Sequence, residues 1–180
     1  FLTVVEVFDG FSQEWGASSG DIIANVSGTA LYVSQELLWK EQRITPKFSF
    51  HQTKFASQRP ETLGASFNEE ILKDYNGQTY WLSFNVHSFT KDSFIPKWLN
   101  LAIGYSGEGM LYGNDAEAIE NGIIQNPYRQ FYLSLDVDLT KISTKSHFLK
   151  TLFSVFNTIK IPAPDRKSTR LNSSHDDVSR

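Results

Sequence analysis

The chain has 180 residues, with 17 Lys and Arg against 20 Asp and Glu and a net charge of −3. Such a balance excludes the basic stripe that a nucleic-acid partner requires, and a sequence without cysteine offers no disulfide and no thiolate metal site. The length suits one domain of ordinary size, and 14 Phe, 7 Tyr and 4 Trp suit strands, interfaces and membrane-edge belts alike.

The sequence opens without Met on the apolar run Phe1-Leu2-Thr3-Val4-Val5-Glu6-Val7-Phe8, a start from which an export signal or upstream lipid anchor is not judged. From Ser18 to about Gln42 the pattern is helical. Ser18 is placed to cap and Asp21 to face the helix N-terminus, while Ile22, Ile23, Val26, Ala30, Val33, Leu37 and Leu38 recur at helical spacing and Pro46 closes the segment. Asp21, Asn25, Gly28, Tyr32, Gln35 and Trp39 form a second, polar and glycine-notched stripe, as expected of a helix packed closely against a neighbour. It is too polar for a membrane span.

A short helix is predicted over Phe67–Lys73, capped by Asn68, with Glu69 and Glu70 in its first turn, Phe67 stapled onto Leu72 and Gly77 as its stop. Tyr80, Leu82, Phe84 and Val86 then alternate with Trp81, Ser83, Asn85 and His87. Leu99, Leu101, Ile103 and Tyr105 alternate with Asn100, Ala102 and Gly104, and Phe131, Leu133, Leu135, Val137 and Leu139 with Tyr132, Ser134, Asp136 and Asp138. Each of these three stretches reads as a strand with one apolar and one polar or small face. Gly107 to Pro127 reads as a long surface loop, Ser146 to Asn157 as a helix with Phe148, Leu149, Leu152, Phe153 and Phe156 on one face, and Phe48, Phe50, Ile159 and Ile161 as further short strands. Two architectures produce this alternation. One is an antiparallel sheet with one face on helices and the other in water; the second is an outer-membrane barrel wall. Three convincing strands against a minimum of eight favour the first.

The last stretch is of another kind. Asp165-Arg166-Lys167-Ser168-Thr169-Arg170-Leu171-Asn172-Ser173-Ser174-His175 is the in-frame translation of a widely used short-read sequencing adapter, so residues 165–180 are expected to be non-native and are set aside from fold reasoning. Without them thirteen basic residues stand against seventeen acidic ones, because the tail carries four basic and three acidic groups. The expected organisation is a helical segment at 1–45, an antiparallel β-rich region with short helices at 46–164, and the non-native tail.

Several blocks resemble one family. Glu6-Val7-Phe8-Asp9-Gly10-Phe11-Ser12, Trp15-Gly16, Ser19-Gly20-Asp21, Ala24-Asn25 and Gly28 are followed by Trp39-Lys40-Glu41-Gln42-Arg43-Ile44 and Lys73-Asp74-Tyr75-Asn76-Gly77-Gln78-Thr79-Tyr80-Trp81-Leu82-Ser83. Pro96-Lys97-Trp98-Leu99-Asn100, Gly107-Glu108-Gly109-Met110, Arg129-Gln130-Phe131-Tyr132-Leu133-Ser134-Leu135-Asp136 and Ile159-Lys160-Ile161-Pro162-Ala163-Pro164 complete the set. Together they are similar to the YfiM-like predicted periplasmic lipoproteins of Gram-negative bacteria, a family without an assigned biochemical function. The spacing of Glu6, Asp21, Asn25 and Gly28 bears a looser similarity to the VanZ-like membrane proteins. The first resemblance implies a cell-envelope location, periplasmic and associated with the outer membrane. Relatives also carry an upstream helical segment with an Asp-Lys-x-x-His element and a further C-terminal strand, neither of which this sequence matches.

The candidate catalytic residues are Glu6, Asp9, Asp21 and Asn25. Glu6 interrupts an apolar run, and Asp21 and Asn25 lie one helical turn apart, so the group can line a polar seam where ionisable side chains are costly and often functional. Read structurally, Asp21 is a helix N-terminal anion and Asn25 an interhelical hydrogen bonder. His51, His87 and His147 lack ligand spacing, and no metal or cofactor is expected. Ser106 lacks the second glycine of a nucleophile elbow. Asn76-Gly77 and Gly107-Glu108-Gly109 read as turns rather than phosphate cradles. Asp136 and Asp138 share a strand face that can bind a cation or simply be solvated.

The fold expected is α+β, a truncated N-terminal helical segment followed by an antiparallel sheet with one or two packed helices. The function expected is that of a non-catalytic binding or structural protein of the cell envelope, associated with lipid or membrane. The alternative is a membrane-associated enzyme acting on a lipid-linked or cell-wall glycan through Glu6, Asp9 and Asp21.

Overall fold

The computed structural model describes residues 19–91, 94–113, 115–160 and 166–171. Two compact units follow one another, residues 1–43 and 44–180. The fold class is α+β, with a helix in the first unit and an antiparallel sheet with short helices in the second.

The described part of the first unit is one helix, α1, over Ser19–Trp39. It ends before Pro46 is reached, because Lys40 turns into the left-handed region at φ 57° while its N–H still donates to the Glu36 carbonyl. The turn is tied back by Gln35, which is buried. Its Nε2 donates to Gln42 Oε1 at 3.0 Å and its Oε1 accepts the Arg43 N–H at 2.8 Å, and the Arg43 guanidinium lies 4.9 Å from the Trp39 ring centroid. Among the described residues a Cβ built on Gly28 meets nothing within 4 Å, and Ile23, Val26, Val33, Leu37 and Leu38 are exposed. No described helix is long and apolar enough to cross a membrane.

In the second unit, β1 (Ile44–Phe50), β2 (Gln78–Asn85), β3 (Leu99–Glu108), β4 (Tyr128–Val137) and β5 (Arg166–Leu171) form a meander in which each strand pairs antiparallel with the next. The last of them falls within residues 165–180. The β1–β2 connection carries α2 (Pro60–Leu63) and α3 (Phe67–Lys73), the β2–β3 connection α4 (Val86–Thr90), the β3–β4 connection α5 (Asp115–Glu120), and the chain after β4 forms α6 (His147–Phe156).

Local chemistry explains most boundaries. Ser146 Oγ accepts the Leu149 N–H at the start of α6. Asn85 ends β2 early by accepting the Ser88 N–H, so Val86 and His87, expected as strand, open α4 instead. For α3 the N-cap is Ser66 rather than Asn68, and Phe67 stacks edge-on to Phe50 at 6.0 Å instead of stapling to Leu72. That helix ends at Lys73, so Gly77 is not its stop. It is required where it is because a Cβ there would lie 2.2 Å from the His51 carbonyl oxygen. β3 runs to Glu108, placing Gly107 and Glu108 in a strand rather than a loop.

After α6 the chain returns to the outer edge of β1. The Phe48 N–H donates to the Thr158 carbonyl and the Lys160 N–H to the Phe48 carbonyl, so Ile159 bridges Phe48 in parallel. Strand neighbours lie about 4.8 Å apart, and β1 and β4 are separated by two intervening strands. Yet Lys47 Nζ on β1 reaches the Val137 carbonyl on β4 at 2.8 Å, and Lys160 Nζ reaches Ser134 Oγ at 3.0 Å. Side chains span that distance only because the sheet is strongly coiled over the face they share.

The core of that concave face is Trp81, Ala102 and Tyr132. Trp81 lies directly opposite Gly104 and covers it, its Nε1 donating to Ser49 Oγ at 2.8 Å. A Cβ at position 104 would sit 2.6 Å from Trp81 Cε3. Gly104→Ala is therefore expected to cost about 1–3 kcal/mol through overpacking, measured as a lower denaturation midpoint at unchanged m-value.

Candidate functional site

The alternation expected of the strands is present, and its direction is the reverse of an ordinary core. Ser83, Asn100 and Asp136 are buried on the concave face with Lys47, Gln130, Ser134 and Lys160. The apolar partners point out, with Ile103 50% and Leu133 49% exposed. An apolar face on the core with a wet polar face is thus corrected.

The buried face is a connected polar network. Lys47 Nζ lies 2.7 Å from Asp136 Oδ2, both side chains fully buried, and also donates to Asn157 Oδ1 at 3.2 Å. Ser83 Oγ donates to the same Asp136 oxygen at 2.6 Å and accepts from Asn100 Nδ2 at 2.8 Å, and Asn85 Nδ2 donates to Asn100 Oδ1 at 2.7 Å. Lys160 Nζ sits 4.6 Å from the Trp81 ring centroid. Here polar partners surround charges that would otherwise be costly to bury. Both readings of Asp136 and Asp138 fall. The Lys47 ammonium occupies the place of a cation on Asp136, and neither residue is solvated. Asp138 lies beyond β4, where its Oδ1 accepts the Thr140 N–H at 3.0 Å and caps a 3-10 turn.

The outward face is ordered in rows by the strand register. Phe48, Tyr80, Tyr105 and Phe131 lie side by side across β1 to β4, with ring centroids 5.8 Å apart for Phe48 and Tyr80 and 5.4 Å for Tyr105 and Phe131. The next row is Pro46, Leu82, Ile103 and Leu133, and the one after it Ile44, Phe84, Leu101 and Leu135. On the other side of the aromatic row stands Arg129, opposite Gly107. Arg129 is exposed and makes no ion pair with any described residue.

Beside Arg129 a cleft of about 450 Å³ opens between Tyr75, Tyr80, Tyr105, Met110 and Tyr128. Its roof is held from below. Asn76, buried in the turn before β2, donates from Nδ2 to the Met110 carbonyl and accepts the Met110 N–H, both at 2.8 Å, which brings the Met110 methyl over Gly107. Asn76-Gly77 is thus a turn, as read, and its side chain sets one wall of the cleft. Burial, with a smaller contribution from Tyr75, raises the Tyr80 hydroxyl above the ordinary phenol value. It stays a neutral donor, bonded to Gln78 Oε1 at 2.6 Å.

No family model, curated protein or solved structure matches the chain.

The residues singled out from sequence fare differently. Glu6 and Asp9 lie outside the described residues, as does the Ser18 cap. Asp21 and Asn25 fall on α1, one turn apart, with Asn25 half-buried. No three His, Cys, Asp or Glu side chains come together to hold a metal among the described residues. His51 follows β1, His87 lies in α4 and His147 opens α6. Ser106 is a buried residue of β3 within hydrogen-bond distance of the Tyr132 hydroxyl, at 3.2 Å. The cleft residues and Lys47 carried no motif. The nearest signal was an arginine just ahead of an alternating run, Arg129 before Phe131.

Proposed function

We propose that the chain is part of a non-catalytic cell-envelope protein whose coiled sheet sets its apolar face against lipid. The observation that carries this reading is the inversion of the sheet, with polar and charged side chains inside and contiguous aliphatic rows outside. Water disfavours so large an apolar surface, and a hydrocarbon environment favours it. Two further features fit. A row of aromatic rings borders the aliphatic rows, the position of an interfacial belt. The resemblance to YfiM-like predicted lipoproteins supports an envelope location.

The reading concerns a lipid-facing wall and not a closed pore, for which eight strands are the minimum. We also hold residues 165–180 to be adapter-derived. On that reading the β4 edge on which 166–171 lie is open to the further C-terminal strand that the YfiM-like resemblance implies, since an open strand edge pairs with extended chain through backbone groups whatever its sequence.

The test is flotation. The chain is diluted from urea into phosphatidylcholine vesicles, floated through a sucrose gradient and washed with carbonate. Flotation that survives the wash is expected. Folded protein left at the bottom of the gradient, or sediment with and without vesicles, overturns the proposal.

A further inference from the structure

We propose that the tyrosine-lined cleft beside Arg129 binds the anionic phosphate headgroup of a membrane lipid. This inference rests on the lipid-facing reading of the sheet and adds a recognition site to it.

The placement comes from the register. Along the outward face the rows run aliphatic, aliphatic, aromatic, and then Arg129 opposite Gly107. If the aliphatic rows meet acyl chains and the rings lie at the interface, Arg129 stands at the depth of the lipid phosphates. Among the described residues Arg129 is the one charged side chain lining the cleft, and it has no carboxylate partner there. Glu108, the nearest acid in register, alternates to the opposite face and takes a hydrogen bond from Gln130. A guanidinium without a carboxylate is well suited to a phosphate, which it grips with two parallel N–H donors. Tyr75, Tyr105 and Tyr128 line the same cleft with neutral phenols, and Gly107, opposite Arg129 and without a side chain, is covered by the Met110 methyl that forms the cleft wall. The chain as a whole is acidic, with net charge −3. General electrostatics therefore oppose binding to an anionic surface, and any preference for one has to come from a local site.

Flotation is compared on phosphatidylcholine vesicles and on phosphatidylcholine vesicles doped with phosphatidylglycerol. The expected result is about a fivefold preference for the doped vesicles, the effect of one basic residue at an anionic surface. Arg129→Gln should remove that preference while leaving flotation on phosphatidylcholine intact, and Arg129→Lys should keep part of it. A second variant carrying Arg166→Gln, Lys167→Gln and Arg170→Gln together should keep the preference, which separates the cleft from the charges of the neighbouring strand. Equal flotation of the wild type on both vesicles overturns the headgroup site and leaves the lipid-facing wall standing. So does a preference that Arg129→Gln retains. Loss of the preference in inorganic phosphate, with flotation unchanged, would assign the cleft to a free phosphate and overturn the lipid assignment. Failure to float on either vesicle removes the wall itself, and the headgroup site with it.

Discussion

Replacing Lys47 by methionine is expected to destabilise the sheet unit by about 3–5 kcal/mol, the cost of leaving one member of a buried ion pair without its partner. The variant strands Asp136, whose Oδ2 would keep only the Ser83 hydroxyl and whose Oδ1 already has no hydrogen-bond partner among the described residues. It also frees the Val137 carbonyl and leaves Asn157 Oδ1 with the Leu139 N–H, which removes the links from β4 and the end of α6 to β1. Domains of this size have about 5–15 kcal/mol in total, so the loss is a large fraction of the stability. Far-UV circular dichroism against urea, in the medium in which the wild type folds, measures the loss. The double variant Lys47→Met with Asp136→Leu should recover most of it, because an apolar pair of similar volume needs no compensation for buried charge. A cost near zero for Lys47→Met would mean that the pair behaves as an exposed one, and the coiling of the sheet over its polar face would have to be abandoned.

The second large effect concerns the outward face. Ile103 lies in the aliphatic row next to the aromatic one, between Leu82 and Leu133 in the register. With that row in hydrocarbon, Ile103→Lys should cost about 1–3 kcal/mol of membrane association, between the interfacial and midplane penalties of a basic residue on a lipid-facing strand. In flotation this reads as a loss of most of the vesicle-bound fraction. The same substitution in water would be nearly neutral, since the position is half exposed and surface substitutions usually change stability by less than about 0.5 kcal/mol. The size of its effect thus distinguishes a wetted face from a lipid-facing one. Ser83→Ile, on the opposite face, should behave in the inverse manner. Ser83 links Asp136 to Asn100, so the change should lower folding stability without improving flotation.

Much of the secondary structure was legible because its signals are local. Ser146 stands just ahead of the apolar run of α6 and caps it as read, and the alternation through 80–84, 99–105 and 131–137 located β2, β3 and β4. The misplacements are local too. Asn85 ended a strand that Val86 and His87 continued by pattern, since a capping hydrogen bond to Ser88 outweighs weak strand propensity at the end of a run.

The candidate site was not legible in the same way. Lys47 and Lys160 occupy no motif, Asp136 reads from sequence only as a cation ligand or a solvated group, and the three lie far apart along the chain. Their contact depends on the coiling of the sheet, a property of the assembled strands. The cleft is equally non-local, with walls from the turn before β2, the loop after β3 and the start of β4.

By itself, then, the sequence determined that the chain is α+β, that three of its strands have two chemically unlike faces, and that the glycine of Asn76-Gly77 marks a turn. Only the tertiary structure decided which face is inside. Period-two alternation is symmetric, for it says that neighbouring side chains point oppositely and leaves open which set is covered. Coiling toward Trp81, Lys47 and Asp136 covers the polar set and leaves the aliphatic rows outside.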